Sequence, residues 1–193
     1  DGEKFLIHVT DGPSAAAVGL IEPWATVEGS YAWAERNHPK AGGRMLVVAD
    51  GEVSGLDALI DANQPAEIVR LEPGDVETLA GNAFDDIVYR GSDVDVLERL
   101  GGLLGMRGVL CVVLDGGRID GPVKLDIGRV HYDFIRFCGT TGSDPADGYA
   151  WIPANGEIRE GDKVAIIGAA GPMGQMHTIR ALTSGIAGIS VAG

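Results

Sequence analysis

Basic side chains are scarce in this sequence. Lysine and arginine number 15 against 28 aspartates and glutamates, a formal net charge of −13. Nucleic-acid binding needs clustered cations to displace phosphate counterions, and no cluster occurs, which argues against a nucleic-acid partner. Cysteine is nearly absent: Cys111 and Cys138 lie in separate apolar runs without C-x-x-C spacing. They read as two buried free thiols, in keeping with a reducing cytoplasm rather than a disulfide framework. No apolar run approaches bilayer-spanning length and no signal peptide is visible, so no membrane partner is expected. The four histidines, His8, His38, His131 and His177, form no H-x-x-x-H or Cys/His pattern, so no complete metal site can be assembled. No G-x-S-x-G elbow, P-loop or paired-carboxylate arrangement appears.

Glycine, by contrast, is abundant, with 30 residues, and 45% of the chain is hydrophobic. The glycines gather at the ends of apolar segments, which fits an α/β fold with many tight turns. One stretch organises the rest: Lys163-Val-Ala-Ile-Ile-Gly-Ala-Ala-Gly-Pro-Met-Gly174. Val164–Ile167 suit a strand buried on both faces, and Gln175–Leu182 a helix. Strand, glycine turn and helix in that order can seat a diphosphate against bare amides at the positive end of the helix. Gly168 would make the turn, Gly171 would let phosphate approach, and Gly174 would let helix and strand pack closely. Pro172 and Met173 lie inside the same turn, and Met173 is placed to touch a cofactor. The spacing is G-x-x-G-x-x-G, and a turn that needs small residues and binds nothing has the same appearance.

An earlier segment repeats this order in altered form. Arg44–Ala49 reads as a central strand, followed by a turn and a helix through Ala62. Ala49, Gly51 and Ser54 stand where three glycines would, and Glu52 at the helix start competes with an anionic phosphate. Glu72, about 20 residues beyond that turn, occupies the place of a ribose-binding carboxylate or simply opens an exposed Glu-Pro-Gly turn. Strands are also expected at Phe5–Val9, Ala66–Leu71, Phe84–Arg90, Gly108–Leu114, Val130–Gly139 and Ile186–Ala192. Helices are expected at Ala15–Leu20, capped by Ser14, at Trp24–Glu35 after an interruption at Glu22-Pro23, and at Asp93–Leu104. A further helix, Pro145 to about Ile152, would be capped by Ser143 or Asp144. On the expected strand Val130–Gly139, alternation would put His131 and Asp133 on one face. The pairs Asp85-Asp86 and Asp93/Asp95 read as solvated ends, and His177 as a packing or surface residue. The dozen residues between Leu71 and Phe84 are too few for another helix–strand–helix crossover, so the sheet should fall short of six strands.

Three segments resemble the medium-chain dehydrogenase/reductase superfamily, the zinc-type alcohol, polyol and threonine dehydrogenases. Gly19-Leu-Ile-Glu-Pro-Trp-Ala-Thr-Val-Glu28 is similar to the Glu-Pro helix that joins that family's catalytic and cofactor domains. Lys40–Val48 resembles the lead into the first cofactor-domain strand. Gly156–Gly174 resembles it again, with a phosphate loop of the sorbose phosphate reductase-like kind. The resemblance implies a Rossmann-like parallel sheet flanked by helices, followed by the start of a second Rossmann-like βαβ unit. It implies linking elements from an absent catalytic domain over 1–36, a degenerate Rossmann-like domain over 37–142, and a truncated second unit over 143–193. Because the chain begins at Asp1 and stops inside an expected strand, it reads as a piece of a longer protein.

The resemblance further implies an NAD or NADP cofactor at Gly168, Gly171, Pro172, Met173 and Gly174, and hydride transfer with an alcohol or carbonyl substrate in the parent protein. Zinc is possible there, with Glu22 as one ligand, since the glutamate of Glu-Pro can ligate zinc in polyol dehydrogenases. A small-molecule substrate, a homo-oligomer and a cytoplasmic location complete the expectations. Two alternatives stand beside them: a non-catalytic module for packing or oligomerisation, and a zinc-independent quinone reductase-like enzyme.

Overall fold

The computed structural model describes residues 12–193 apart from Glu35 and Asn82; the expected strand Phe5–Val9 and His8 lie outside the described residues. The chain forms two compact units. One comprises residues 35–154, and the other is discontinuous, made of 1–34 and 155–193.

The continuous unit is a five-stranded, wholly parallel sheet in the order β2-β1-β3-β4-β5. Its strands are β1 (Arg44–Ala49), β2 (Glu67–Leu71), β3 (Phe84–Arg90), β4 (Leu104–Val113) and β5 (Arg136–Thr140). Alternate residues of β1 enter different cores. Leu46 and Val48 join Ile87, Tyr89, Leu97 and Leu100 on one face, while Met45 and Val47 join Val88, Cys111 and Tyr149 on the other. Burial on both faces is what an unbroken apolar strand such as Met45–Val48 requires. The helices that cover the sheet are α3 (Leu56–Asn63), α4 (Val94–Leu103), α5 (Ile127–Tyr132) and α6 (Pro145–Ala150). Asp93, Asp126 and Asp144 cap α4, α5 and α6 by accepting a first-turn amide each. Between β2 and β3 the chain makes only a 3-10 helix, Pro73–Thr78. This is a Rossmann-like α/β fold. Because α6 packs on β4 and β5, residues 143–154 go with this sheet.

Two local expectations give way. The segment expected as one strand, Val130–Gly139, is the end of α5, a turn, and then β5. Strand-like composition loses here to tertiary anchoring: Arg129 on α5 reaches the Gly101 carbonyl at 3.1 Å and pairs with Asp133 at 2.7 Å. His131 and Asp133 therefore share no strand face. Nor are Asp85 and Asp86 simple solvated ends: Asp85 is half-buried and Asp86 buried. Asp86 is 2% exposed and receives Arg36 at 2.7 Å, the Lys40 amide at 2.8 Å and the Tyr149 hydroxyl at 2.8 Å. Asp85 takes the Lys40 ammonium at 2.6 Å and the Arg44 amide at 2.9 Å.

The discontinuous unit contains α1 (Ala15–Gly19), α2 (Ile21–Ala32), β6 (Lys163–Ala165), α7 (Pro172–Thr183) and β7 (Ser190–Ala192). Ser14 caps α1 as expected. Glu22-Pro23 does not interrupt a helix, because Pro23 falls in the first turn of α2, where its missing amide has no partner to lose. The break lies at Leu20. Trp24, Val27 and Tyr31 line the less exposed side of α2, which packs against α7. Strands β6 and β7 pair in parallel through the α7 crossover, the start of a second βαβ unit. Burial on both faces of β6 is not seen: the strand is three residues long, half-exposed, and Ile167 after it is fully exposed. A two-stranded pair has too little surface around it to bury both sides. The chain returns to this unit where it left, since a Cβ on Gly156 would lie 2.8 Å from the Ser30 carbonyl on α2.

Candidate functional site

The β6–α7 turn has the backbone that its glycines suggest. Gly168 adopts φ +84°, a left-handed conformation in which a side chain would be strained. The Gly171 amide closes the turn on the Gly168 carbonyl at 2.9 Å. A Cβ on Gly174 would lie 2.2 Å from that carbonyl, so only glycine lets α7 come so near the loop. Gln175 ties the loop down further by donating from Nε2 to the Ala170 carbonyl at 2.8 Å. Gly171 is the N-cap residue, and among the described residues no side chain accepts from the first-turn amides. Pro172 and Met173 beside it are exposed. A 12-residue helix thus presents an uncapped positive end behind a glycine turn, the arrangement an anionic group can occupy.

At the β1–α3 turn a carboxylate of the same unit lies beside the helix tip. Gly55 is the N-cap of α3 at φ +73°, again with no cap from its own segment. A Cβ there would lie 2.4 Å from the carboxylate of Asp144, so that carboxylate sits against the helix tip. The same group accepts the Ala146 amide at 2.8 Å and caps α6. Asp144 thus caps α6 and also lies close to the N-terminus of α3, an end favourable to negative charge. Glu52, read from sequence as the competing acid, lines an open cleft of about 320 Å³ at this turn with Ala49, Gly51, Leu56, Asp57 and Arg70. Arg70 in that cleft faces Asp57 at 3.4 Å. Glu72 is not in the cleft wall; it is exposed and precedes the 3-10 helix, as the turn reading has it.

The remaining candidates scatter. Glu22 is exposed on α2, its carboxylate accepting from the Thr26 hydroxyl at 3.3 Å. Among the described residues no group of three or more His, Cys, Asp or Glu is placed to hold a metal ion. These residues do not by themselves fit a zinc centre. His131 is exposed on α5, its ring edge-on to Tyr132.

His177 has a partner that sequence reading missed: its Nδ1 shares a 3.0 Å hydrogen bond with the Tyr31 hydroxyl. Arg180, one turn on, stacks 3.8 Å over the Tyr31 ring and pairs with Glu28 at 2.9 Å and Glu157 at 2.8 Å. Burial pushes the Tyr31 phenol up, although Arg180 opposes it. The Arg180 hydrogen bonds hold the Glu157 carboxyl below its usual range. The cluster fastens α7 to α2 and so steadies the helix whose tip is open. Tyr31 and His177 are far apart in sequence, and no local signal marks them as partners.

No family model matches the sequence, and no curated protein matches it. Among solved structures, 2R,3R-butanediol dehydrogenase from Bacillus subtilis is similar over 97% of this chain and 60% of its own, at 12% identity and TM-score 0.38. L-idonate 5-dehydrogenase from Escherichia coli is similar over the same shares, at 14% identity and TM-score 0.37. The yhdH oxidoreductase from Salmonella enterica, solved in complex with NADP, is similar over 97% and 66%, at 11% and 0.35. The chain thus spans about 60% of the length of the first two.

Proposed function

We propose that this chain is the cofactor-binding portion of an NAD(P)-dependent oxidoreductase of the alcohol or polyol dehydrogenase kind. The uncapped tip of α7 behind the Gly168 turn carries this reading. Gly168, Gly171 and Gly174 would shape the seat, with backbone amides of the first turn receiving the diphosphate and Pro172 and Met173 bordering it. A Cβ on Gly168 would meet nothing within 4 Å, and one on Gly171 only the Gly168 carbonyl at 3.4 Å, so the turn leaves room for an incoming group. A bound nicotinamide would accept or donate hydride, and the chain's own part is to bind and orient it. The substrate would be a small alcohol or carbonyl compound, and the working protein a cytoplasmic homo-oligomer. Zinc belongs to this reading only through Glu22 together with ligands outside the described residues.

Titration with NADH and with NADPH, followed by nicotinamide fluorescence, tests the reading. A saturable signal with at least one cofactor is expected, and its loss in Gly171→Asp. Gly171 has φ −77° and aspartate is a good N-cap, so this variant keeps the helix while placing a carboxylate where the diphosphate would bind. No signal in the wild type, or an unchanged one in the variant, overturns it.

A second reading applies to the continuous unit alone. With Asp144 at the α3 tip, that unit serves packing or association and leaves dinucleotide binding to the other turn. Deleting the cleft charge with Arg70→Ala then leaves cofactor affinity unchanged; a tenfold loss would sink this division of roles.

A further inference from the structure

The two cysteines, separate in sequence, are brought side by side by the sheet. Cys111 on β4 and Cys138 on β5 are direct register partners. Neighbouring strands run about 4.7–4.9 Å apart, inside the Cα separation of about 4.4–6.8 Å that a disulfide accepts. In-register residues of parallel neighbours point to one face, and both side chains here join the core beneath α6. The helix is shaped around the inner sulfur. Cys111 donates to the Pro145 carbonyl at 3.5 Å, and a Cβ on Gly148 would lie only 2.6 Å from Sγ. The two thiols differ in access: Cys111 is fully buried, whereas Cys138 lies on the sheet's edge strand and is partly exposed. The contact with Cys138 and burial push the Cys111 thiol far up, so Cys111 is not the thiolate that meets a reagent first.

We propose that Cys111 and Cys138 form an oxidisable dithiol, in which Cys138 attacks a peroxide-class oxidant and Cys111 then closes a disulfide between β4 and β5. The Cys138 thiolate displaces hydroxide from the peroxide and becomes a sulfenic acid. The Cys111 sulfur then attacks the sulfenic sulfur; the S–O bond breaks, water leaves, and the Cys111 proton goes with it. In sum, two thiols and one hydrogen peroxide give one disulfide and two waters. The bond would tie the short edge strand to the interior of the sheet across the segment that contains α5. The proposal concerns the continuous unit and is independent of cofactor binding at the α7 turn.

The test exposes the reduced full chain to hydrogen peroxide, with thiols counted after denaturation and the intact mass and non-reduced peptides analysed. The expected product loses both thiols, is lighter by two hydrogens, yields a linked Cys111–Cys138 peptide, and reverts with dithiothreitol. In Cys111→Ser the same treatment should add a single oxygen at Cys138 that dimedone captures. Should that variant fail to fold, phenylarsine oxide on the wild type replaces it: one arsenical bridging both sulfurs supports the pair. Progression of Cys138 to sulfinic or sulfonic acid while Cys111 stays free overturns the proposal. So does survival of both thiols at a peroxide dose that consumes free cysteine, a cross-link only between chains, or attachment of the arsenical to a single sulfur.

Discussion

The two strand–turn–helix segments of this chain look alike in outline and differ at one point, the occupant of the helix tip. At β1–α3 the tip holds Asp144, contributed by another helix of the same unit. At β6–α7 no side chain among the described residues caps it. The glycines differ correspondingly. Gly55 is required by its left-handed backbone and by a side chain that comes close, whereas Gly174 is required because the turn's own backbone does. A side chain can be removed or replaced; a carbonyl cannot. The first turn thus has a carboxylate from another helix beside its tip, whereas the second is shaped by the absence of side chains within it.

The largest expected effect separates the units by what supports them. The closed turn belongs to a unit with a buried ion pair, Arg36–Asp86 at 2.7 Å, 22% and 2% exposed. Arg36→Ala would strand the buried carboxylate and lower that unit's stability by about 3–5 kcal/mol. Hydrogen exchange should show protection lost in β1, β3 and β4 and unchanged in α7; equal loss in both units would break the separation.

Next come the two glycines. Gly174→Ala should cost about 1–3 kcal/mol through the clash with the Gly168 carbonyl. Gly55→Ala should cost a similar amount, from its φ of +73° together with the Asp144 clash. In an Asp144→Ala background, part of the Gly55 cost should return, which a double-mutant cycle by urea denaturation measures. Strict additivity would contradict the placement of the carboxylate at the tip.

Asp144→Ala alone should cost about 1 kcal/mol for the lost α6 cap. It should also make thermal stability more responsive to added phosphate than in the wild type. An identical phosphate response in both proteins would mean that the carboxylate does not hold the tip.

The smallest effect is a pH slope. Burial pushes the Asp86 carboxyl up, and its contacts with Arg36, Lys40 and Tyr149 only partly oppose this. Above the ordinary value of 3.8, the unfolded chain releases this proton while the folded unit retains it. Stability therefore falls with rising pH through that window, by at most about 1.4 kcal/mol per unit, until Asp86 ionises in the fold. Asp85 contributes the opposite slope. Burial raises its carboxyl, but hydrogen bonds from Lys40 and Arg44 outweigh that and leave it lowered. Its stabilisation is present above the ordinary range and lost as pH falls. Comparing Asp86→Asn with the wild type between pH 4 and 7 isolates the first slope, and identical pH profiles would refute it.

Much of the sheet was legible because the signals are local. Arg44–Ala49 and Phe84–Arg90 are strands with the expected bounds, and the cap at Ser14 and the choice of Ser143 or Asp144 at α6, which falls to Asp144, are single-residue chemistry. The turn at Gly168–Gly174 was legible for the same reason, since its geometry depends on what its own residues lack. What failed depended on distant neighbours. His131 sits on a helix because Arg129 is anchored to Gly101, and Asp86 is buried because Arg36 and Tyr149 reach it.

The sequence alone determined where apolar runs, glycine turns and capping acids would make strands, turns and helices, because those depend on residues within a few positions of each other. Only the tertiary structure decided that Asp144 would meet Gly55, that His177 would meet Tyr31, and that Cys111 would lie beside Cys138. Each pairing is fixed by strand order and helix packing, which bring together residues that share no local pattern.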